Sequence, residues 1–120
     1  MSLRLGKLRS NEEFREVLKR GRSFANDLAV LYVLRDETLP EGARFGVSVP
    51  RRFGGAVQRN RVRRLFWEAY RQLGLSSAAP GRRLVLIPRH KSRGSTYWQV
   101  LASLEDLRGR AGLEKQEHRG

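Results

Sequence analysis

The sequence predicts a single α+β domain, a small mixed sheet packed with helices. Three observations predict it. The 120 residues suit one domain and leave little room for two. Hydrophobic residues make up 39% of the chain, enough for a small core and too many for a disordered chain. Short apolar runs of strand character alternate along the chain with segments of helical periodicity that carry their own start signals. The order reads helix, strand, strand, helix, strand, helix, with a further strand around Phe24. The domain spans residues 1–109, and residues 110–120 read as a polar, flexible tail.

Each element has a local reason. Ser10 can cap the first helix, and Glu13 three residues on completes a capping-box pattern. Phe14, Val17 and Leu18 form its apolar stripe, and Gly21 stands where a C′ glycine would end it. Residues 28–34 are apolar on both faces, as in a well-covered strand. Asp36 to Gly42 is a polar loop punctuated by Pro40. In residues 44–49, Phe45, Val47 and Val49 alternate with Arg44, Gly46 and Ser48; the short loop before them suggests an antiparallel pair with 28–34. Gly54-Gly55 is a turn, and a long helix follows from about Val57 to Leu73, stopped by Gly74. Ser76 to Gly81 reads as a loop and Arg83 to Pro88 as the last strand. Thr96 with Gln99 offers a second capping box for a helix running to about Arg108.

The charge points to a partner. Lys and Arg number 25 against 12 Asp and Glu, a net charge of +13. Residues 1–41 and 105–120 are nearly neutral, whereas residues 42–104 hold 13 basic side chains and one acid, Glu68. A block of one sign repels itself, and a polyanion is its natural complement. Cys is absent, which excludes disulfides, thiolate metal sites and a Cys nucleophile and fits a reducing cytoplasm. No apolar run approaches the roughly 20 residues that span a bilayer, and no signal peptide follows Met1. No membrane association and no obligatory protein partner are expected.

The long helix concentrates the basic residues. At 100° per residue, Val62, Leu65, Phe66, Ala69, Tyr70 and Leu73 share the face that packs on the sheet. Asn60, Arg61, Arg64, Trp67, Glu68 and Arg71 take the other side, with Arg63 at the border. Residues 51–64 contain six arginines and no acid. Arginine's planar fork binds phosphates bidentately and its face stacks on bases. Trp67, set among charges, reads either as a cover for a neighbour or as a stacking platform for an unpaired base. Glu68 meets Arg64 and Arg71 at ion-pair spacing. Gly54-Gly55 lacks the Lys-Ser/Thr ending of a nucleotide P-loop, and His90 and His118 have no partner at metal-ligand spacing. No catalytic triad is recognisable, so no protein catalytic residue and no protein-held metal are expected.

The run Arg44-Phe45-Gly46-Val47-Ser48-Val49-Pro50-Arg51-Arg52-Phe53-Gly54-Gly55-Ala56-Val57-Gln58-Arg59-Asn60-Arg61-Val62-Arg63-Arg64 resembles the signature of the bacterial ribonuclease P protein subunit. Phe14, Val17 and Gly21 upstream and Leu84 to Arg89 downstream extend the resemblance over about residues 5–108. It implies a left-handed β-α-β crossover from Phe45 to Ile87, against the usual hand. It implies a ribonucleoprotein endonuclease that removes the 5′ leader of precursor tRNA, with hydrolysis carried by a catalytic RNA and its Mg²⁺. The partners so implied are that RNA and the precursor tRNA. Contacts to the RNA subunit would fall on Arg51, Arg52, Arg59, Asn60, Arg61 and Arg64. A leader cleft would take Phe14, Leu18, Val30, Tyr32, Ser48, Asn60, Arg63 and Trp67. Three positions depart from the family pattern: Leu18 where an aromatic is common, Trp67 where a basic residue is common, and Pro50 for a small polar residue. Two other readings of the basic block are a ribosomal-type RNA-binding module with no role in cleavage and a DNA-binding helix. The second lacks a turn-and-helix partner before residue 57.

Overall fold

The computed structural model describes residues 7, 8, 10–39 and 42–113. Pro40 and the segment 114–120 of the expected tail lie outside the described residues. The helices are α1 (Asn11–Arg20), α2 (Ala56–Gln72), a short α3 (Leu75–Ala78) and α4 (Tyr97–Arg110). The strands are β1 (Arg22–Ala25), β2 (Ala29–Arg35), β3 (Arg44–Val47) and β4 (Arg82–Pro88), in the spatial order β1-β2-β4-β3.

The hairpin partner of β2 is β1, the strand around Phe24, and not β3. The turn between them explains why. The Asn26 side-chain oxygen accepts from the backbone N–H groups of Leu28 and Ala29 at 3.1 Å each, and the Asn26 N–H donates to the Ala29 carbonyl. Such an Asx turn closes a tight antiparallel pair. The expected antiparallel pairing of residues 28–34 with 44–49 therefore gives way. β4 inserts between β2 and β3, antiparallel to the first and parallel to the second. Leu84, Val85 and Leu86 are wholly buried on both faces, so β4 belongs at the centre of the sheet.

One sheet face buries Ala29, Leu31, Phe45, Val47, Leu84 and Leu86 against α2 and α4. From the helices come Val62, Phe66, Ala69 and Tyr70 of α2 and Val100, Leu104 and Leu107 of α4, close to the faces read from periodicity. The other face carries only α1. Val17, Leu8 and Val85 are buried there, with Phe14, Leu18, Tyr32, Leu34 and Ile87 packed against them. A ten-residue helix is about 15 Å long and leaves part of that face uncovered. Gly46 lets α1 close on the sheet, since a Cβ there would collide with the Phe14 ring.

Both predicted caps form. Ser10 Oγ accepts from the Glu13 N–H, and Thr96 and Gln99 satisfy each other's backbone N–H groups. Gly21 is not a left-handed C′ residue; its backbone is extended at φ −80° and ψ 164°. Glycine suits it because a Cβ would stand 2.6 Å from the Val17 carbonyl oxygen and 2.9 Å from that of Val33. The loop expected over 76–81 begins with α3, whose Leu75 is buried. α4 continues to Arg110, and Gly112 in the left-handed region turns the chain so that Leu113 reaches the core and donates its N–H to Arg108.

An ionic chain closes one end of the sheet. Glu13 of α1 accepts from Arg44 of β3 at 3.0 Å and pairs with Arg83 of β4 at 3.3 Å; Arg83 reaches Asp36 at 2.6 Å. Hydrogen bonds from Thr38, working against a burial cost and joined by Arg83, hold the Asp36 carboxyl below the usual carboxylate value. A carboxyl whose pKa is lowered by folding stabilises the fold above its unfolded pKa of about 3.9. That contribution is lost as the pH falls through the lowered value. Asp36→Asn should therefore be less stable than the parent at neutral pH, with the gap closing in strong acid. Urea melts at several pH values check this; a gap independent of pH would contradict it.

Candidate RNA-binding surfaces

The parallel pairing of β3 and β4 sends both strands' following segments out at the same end of the sheet. After β3 comes Pro50 and a single 3₁₀ turn, Arg51–Phe53, anchored by the buried Phe53 ring. Then Gly54 and Gly55 lead into α2. After β4 comes Arg89, the 3₁₀ turn His90–Ser92, Arg93, and the start of α4. The N-terminal ends of α2 and α4 thus meet at one end, where unpaired N–H groups favour anions.

Arg59, Arg61 and Arg63 of α2 are tied to backbone carbonyls or a side-chain amide oxygen and not to acids. Arg59 Nη1 donates to the Gly54 carbonyl at 2.8 Å. Arg61 Nη2 donates to the Ser95 carbonyl at 2.9 Å, tying α2 to the segment before α4. Arg63 Nη1 donates to Asn60 Oδ1 at 2.9 Å. Each guanidinium has five N–H donors, so a single tie orients it and leaves most of its donors for a ligand. Ordering the side chain in advance reduces what binding costs in entropy. Arg51, Arg52 and Arg64 project into solvent from the same region. Glu68, expected to pair with Arg64 and Arg71, forms no ion pair among the described residues; Arg71 turns instead to the Trp67 carbonyl and ring. The Gly55 N–H is bonded to Gln58 Oε1 at 3.1 Å.

A second surface lies on the uncovered part of the α1 face, a groove of about 500 Å³. Val30, Tyr32 and Ile87 line it, with Pro50, Arg52 and His90 among its other walls. Phe14 and Leu18 pack with Tyr32 and Ile87 in the adjoining cluster. Ser48, in step with Gly46 on that face, donates its N–H to the Leu86 carbonyl at 2.9 Å. Ile87, Arg89 and His90 also line the groove and were not among the sequence candidates. The alternation of Val85 with Ile87 along β4 carries the signal for Ile87, whereas His90 has no signal in spacing alone. Arg52 belongs to both surfaces.

The expected leader cleft is therefore divided. Asn60, Arg63 and Trp67 stand on α2, which covers the opposite face of the sheet. Trp67 is not on the side of α2 away from the core. Its ring packs edge-on against Phe45 at 4.8 Å and Tyr70 at 5.5 Å, and it is half-buried. Lys7 and Arg71 lie over it at 6.0 and 5.7 Å. Trp67→Ala should accordingly lower stability by about 2 kcal/mol or more, read from chemical denaturation. Unchanged stability would show that this packing contributes nothing.

Comparison with known proteins agrees with the arrangement. The sequence pattern of the ribonuclease P family, described as "Ribonuclease P", matches residues 4–112. The ribonuclease P protein component of Clostridium novyi is 41% identical over 107 residues, covering 89% of this chain and 94% of that one. That of Clostridium perfringens is 44% identical over 115 residues, covering 92% and 91%. Among solved structures, the Staphylococcus aureus RNase P protein superposes with a TM-score of 0.82 at 27% identity, covering 91% of this chain and 97% of that one. The Thermotoga maritima RNase P protein gives 0.75 at 28% identity, covering 93% and 98%. With its β3-α2-β4 unit, its arginine-bearing helix start and a family match over nearly its whole length, the chain belongs to the family of ribonuclease P protein components.

Proposed function

We propose that the arginine end of this protein holds a catalytic RNA subunit and that the sheet-face groove takes the single-stranded 5′ leader of precursor tRNA. As a ribonuclease P protein component, the chain serves a holoenzyme that is an endoribonuclease in tRNA 5′ maturation. A role confined to a ribosomal-type module is not favoured by these relatives. The observation that carries the finer reading is the acid-free cluster of Arg51, Arg52, Arg59, Asn60, Arg61 and Arg64 around the start of α2, in which backbone carbonyls orient Arg59 and Arg61. In this reading Phe14, Leu18, Val30, Tyr32 and Ser48 belong to the leader groove, and Asn60, Arg63 and Trp67 border the α2 side.

The protein's part is binding and orientation. Among the described residues, no group of three or more His, Cys, Asp or Glu side chains is placed to hold a metal. Mg²⁺ enters, in this reading, with the RNA and its phosphates. No helix of the described residues is long and apolar enough to cross a membrane, and the cytoplasm is the expected location.

The deciding experiment is reconstitution with the cognate catalytic RNA. Cleavage of leader-bearing precursor tRNA at low Mg²⁺ should rise on adding the protein, and affinity for the complex should grow with leader length. No stimulation would overturn the reading; stimulation without leader dependence would overturn the groove assignment. Arg61→Ala should weaken RNA binding and reduce the salt slope of binding by about one unit. An unchanged slope would show that Arg61 touches no phosphate.

A further inference from the structure

The described residues expose two large hydrophobic side chains, Val57 at 81% and Trp98 at 72%. Apolar residues scattered singly over a surface are ordinary. These two are not scattered. Val57 lies in the first turn of α2, one turn before Arg61 on the same side of the helix. Trp98 lies in the first turn of α4, three residues after Ser95, whose carbonyl accepts the Arg61 guanidinium. The bond between Arg61 and Ser95 thus brings the two exposed apolar positions to the same end of the fold. That end is cationic. Arg59, Arg61, Arg64 and Arg93 stand in these segments, and neither helix has an acid in its first turn.

The Trp98 ring is also held. Tyr97, half-buried and packed against the core, meets it edge-on at 5.2 Å with an interplanar angle of 67°. An exposed indole set edge-on against one aromatic neighbour, at an end of the fold that carries arginines, suits a flat, electron-rich partner attached to a phosphate chain. A second apolar protein surface would bury the indole but would leave the arginines facing no anion. An unpaired nucleobase satisfies both.

We infer that Trp98, with Val57 beside the Arg61–Ser95 junction, is a stacking platform for an unpaired base of the catalytic RNA. The inference rests on the reading of this chain as an RNA-binding subunit, and it adds a contact outside the arginine signature. Trp67 and Trp98 are the only two tryptophans, so the indole can be followed directly.

The test uses the full chain and its cognate catalytic RNA. RNA should quench the protein's indole emission and protect it from acrylamide. Trp98→Phe, which leaves Trp67 as the only indole, should lose most of that response. Trp98→Ala should weaken RNA binding by roughly 5- to 150-fold, the range for loss of one base–aromatic stack. Its salt slope should stay unchanged, because no cation is removed. Trp98→Phe should recover part of the affinity. If the alanine variant does not fold, the quenching and affinity of Trp98→Phe decide alone. Parental affinity in the alanine variant overturns the inference and leaves the RNA-binding reading intact. So does a self-association that Trp98→Ala abolishes without any effect on RNA binding. Failure of the parent protein to bind the RNA overturns both.

Discussion

The parallel pairing of β3 with β4 is the constraint on which the rest depends. Phe45 stands opposite Leu84 and Val47 opposite Leu86, so the two strands run side by side to the same end of the sheet. Parallel neighbours need a crossover, and α2 supplies it. Once α2 is laid across one face, its N-terminus must lie near the end of β3 and the start of α4 near the end of β4. The Arg51–Phe53 turn, the arginines of α2 and the segment from Arg89 to Ser95 are thereby gathered at one end. Open sheets commonly bind ligands beyond the carboxyl ends of their parallel strands. Here that end also holds two helix N-termini and the exposed Arg51, Arg52, Arg89 and Arg93.

The same pairing divides the charge of the basic block. Arg44 and Arg83 stand opposite each other at the other end of β3 and β4. They meet Glu13 and Asp36, acids from outside the block. At the carboxyl ends, Arg59 and Arg61 are tied to carbonyl oxygens, which orient a guanidinium without cancelling its charge. The excess counted over residues 42–104 is therefore not spread through the structure. One end of the sheet is neutralised and contributes to folding. The other keeps its self-repulsion, which a polyanion would relieve.

Local chemistry made much of this legible in the sequence. Ser10, Thr96 and Gln99 mark helix starts because capping needs only neighbours three residues apart. Val62, Phe66, Ala69 and Tyr70 follow from the helical period, and the basic block is visible in a count. The failures are non-local or depend on side-chain reach. Nothing within residues 28–49 says that β4, some forty residues on, will insert between the two strands. Trp67 lies about 60° from Tyr70 on the helical wheel, and a wheel records where a Cβ points and not how far an indole can lean. Its ring crosses the border to reach Phe45 at the sheet edge. Trp98 was invisible for the complementary reason. The apolar spacing of α4 selects Val100, Leu104 and Leu107 for burial and is silent about a tryptophan left outside.

The groove and the arginine end are not independent surfaces. Arg52 lines the groove and belongs to the turn that Phe53 anchors immediately before α2. The groove exists because α1 is only ten residues long, and its position is fixed at the opposite end by Glu13 gripping Arg44 and Arg83. These are the two strands whose carboxyl ends present the arginines. A chain lying along Val30, Tyr32 and Ile87 towards Pro50 would therefore arrive at Arg52, on a scaffold whose strands set both the groove floor and the placement of α2. Two ligands held by one small sheet are fixed relative to each other by its hydrogen-bonded register. That geometry would suit the proposed role, in which the subunit positions one RNA against another.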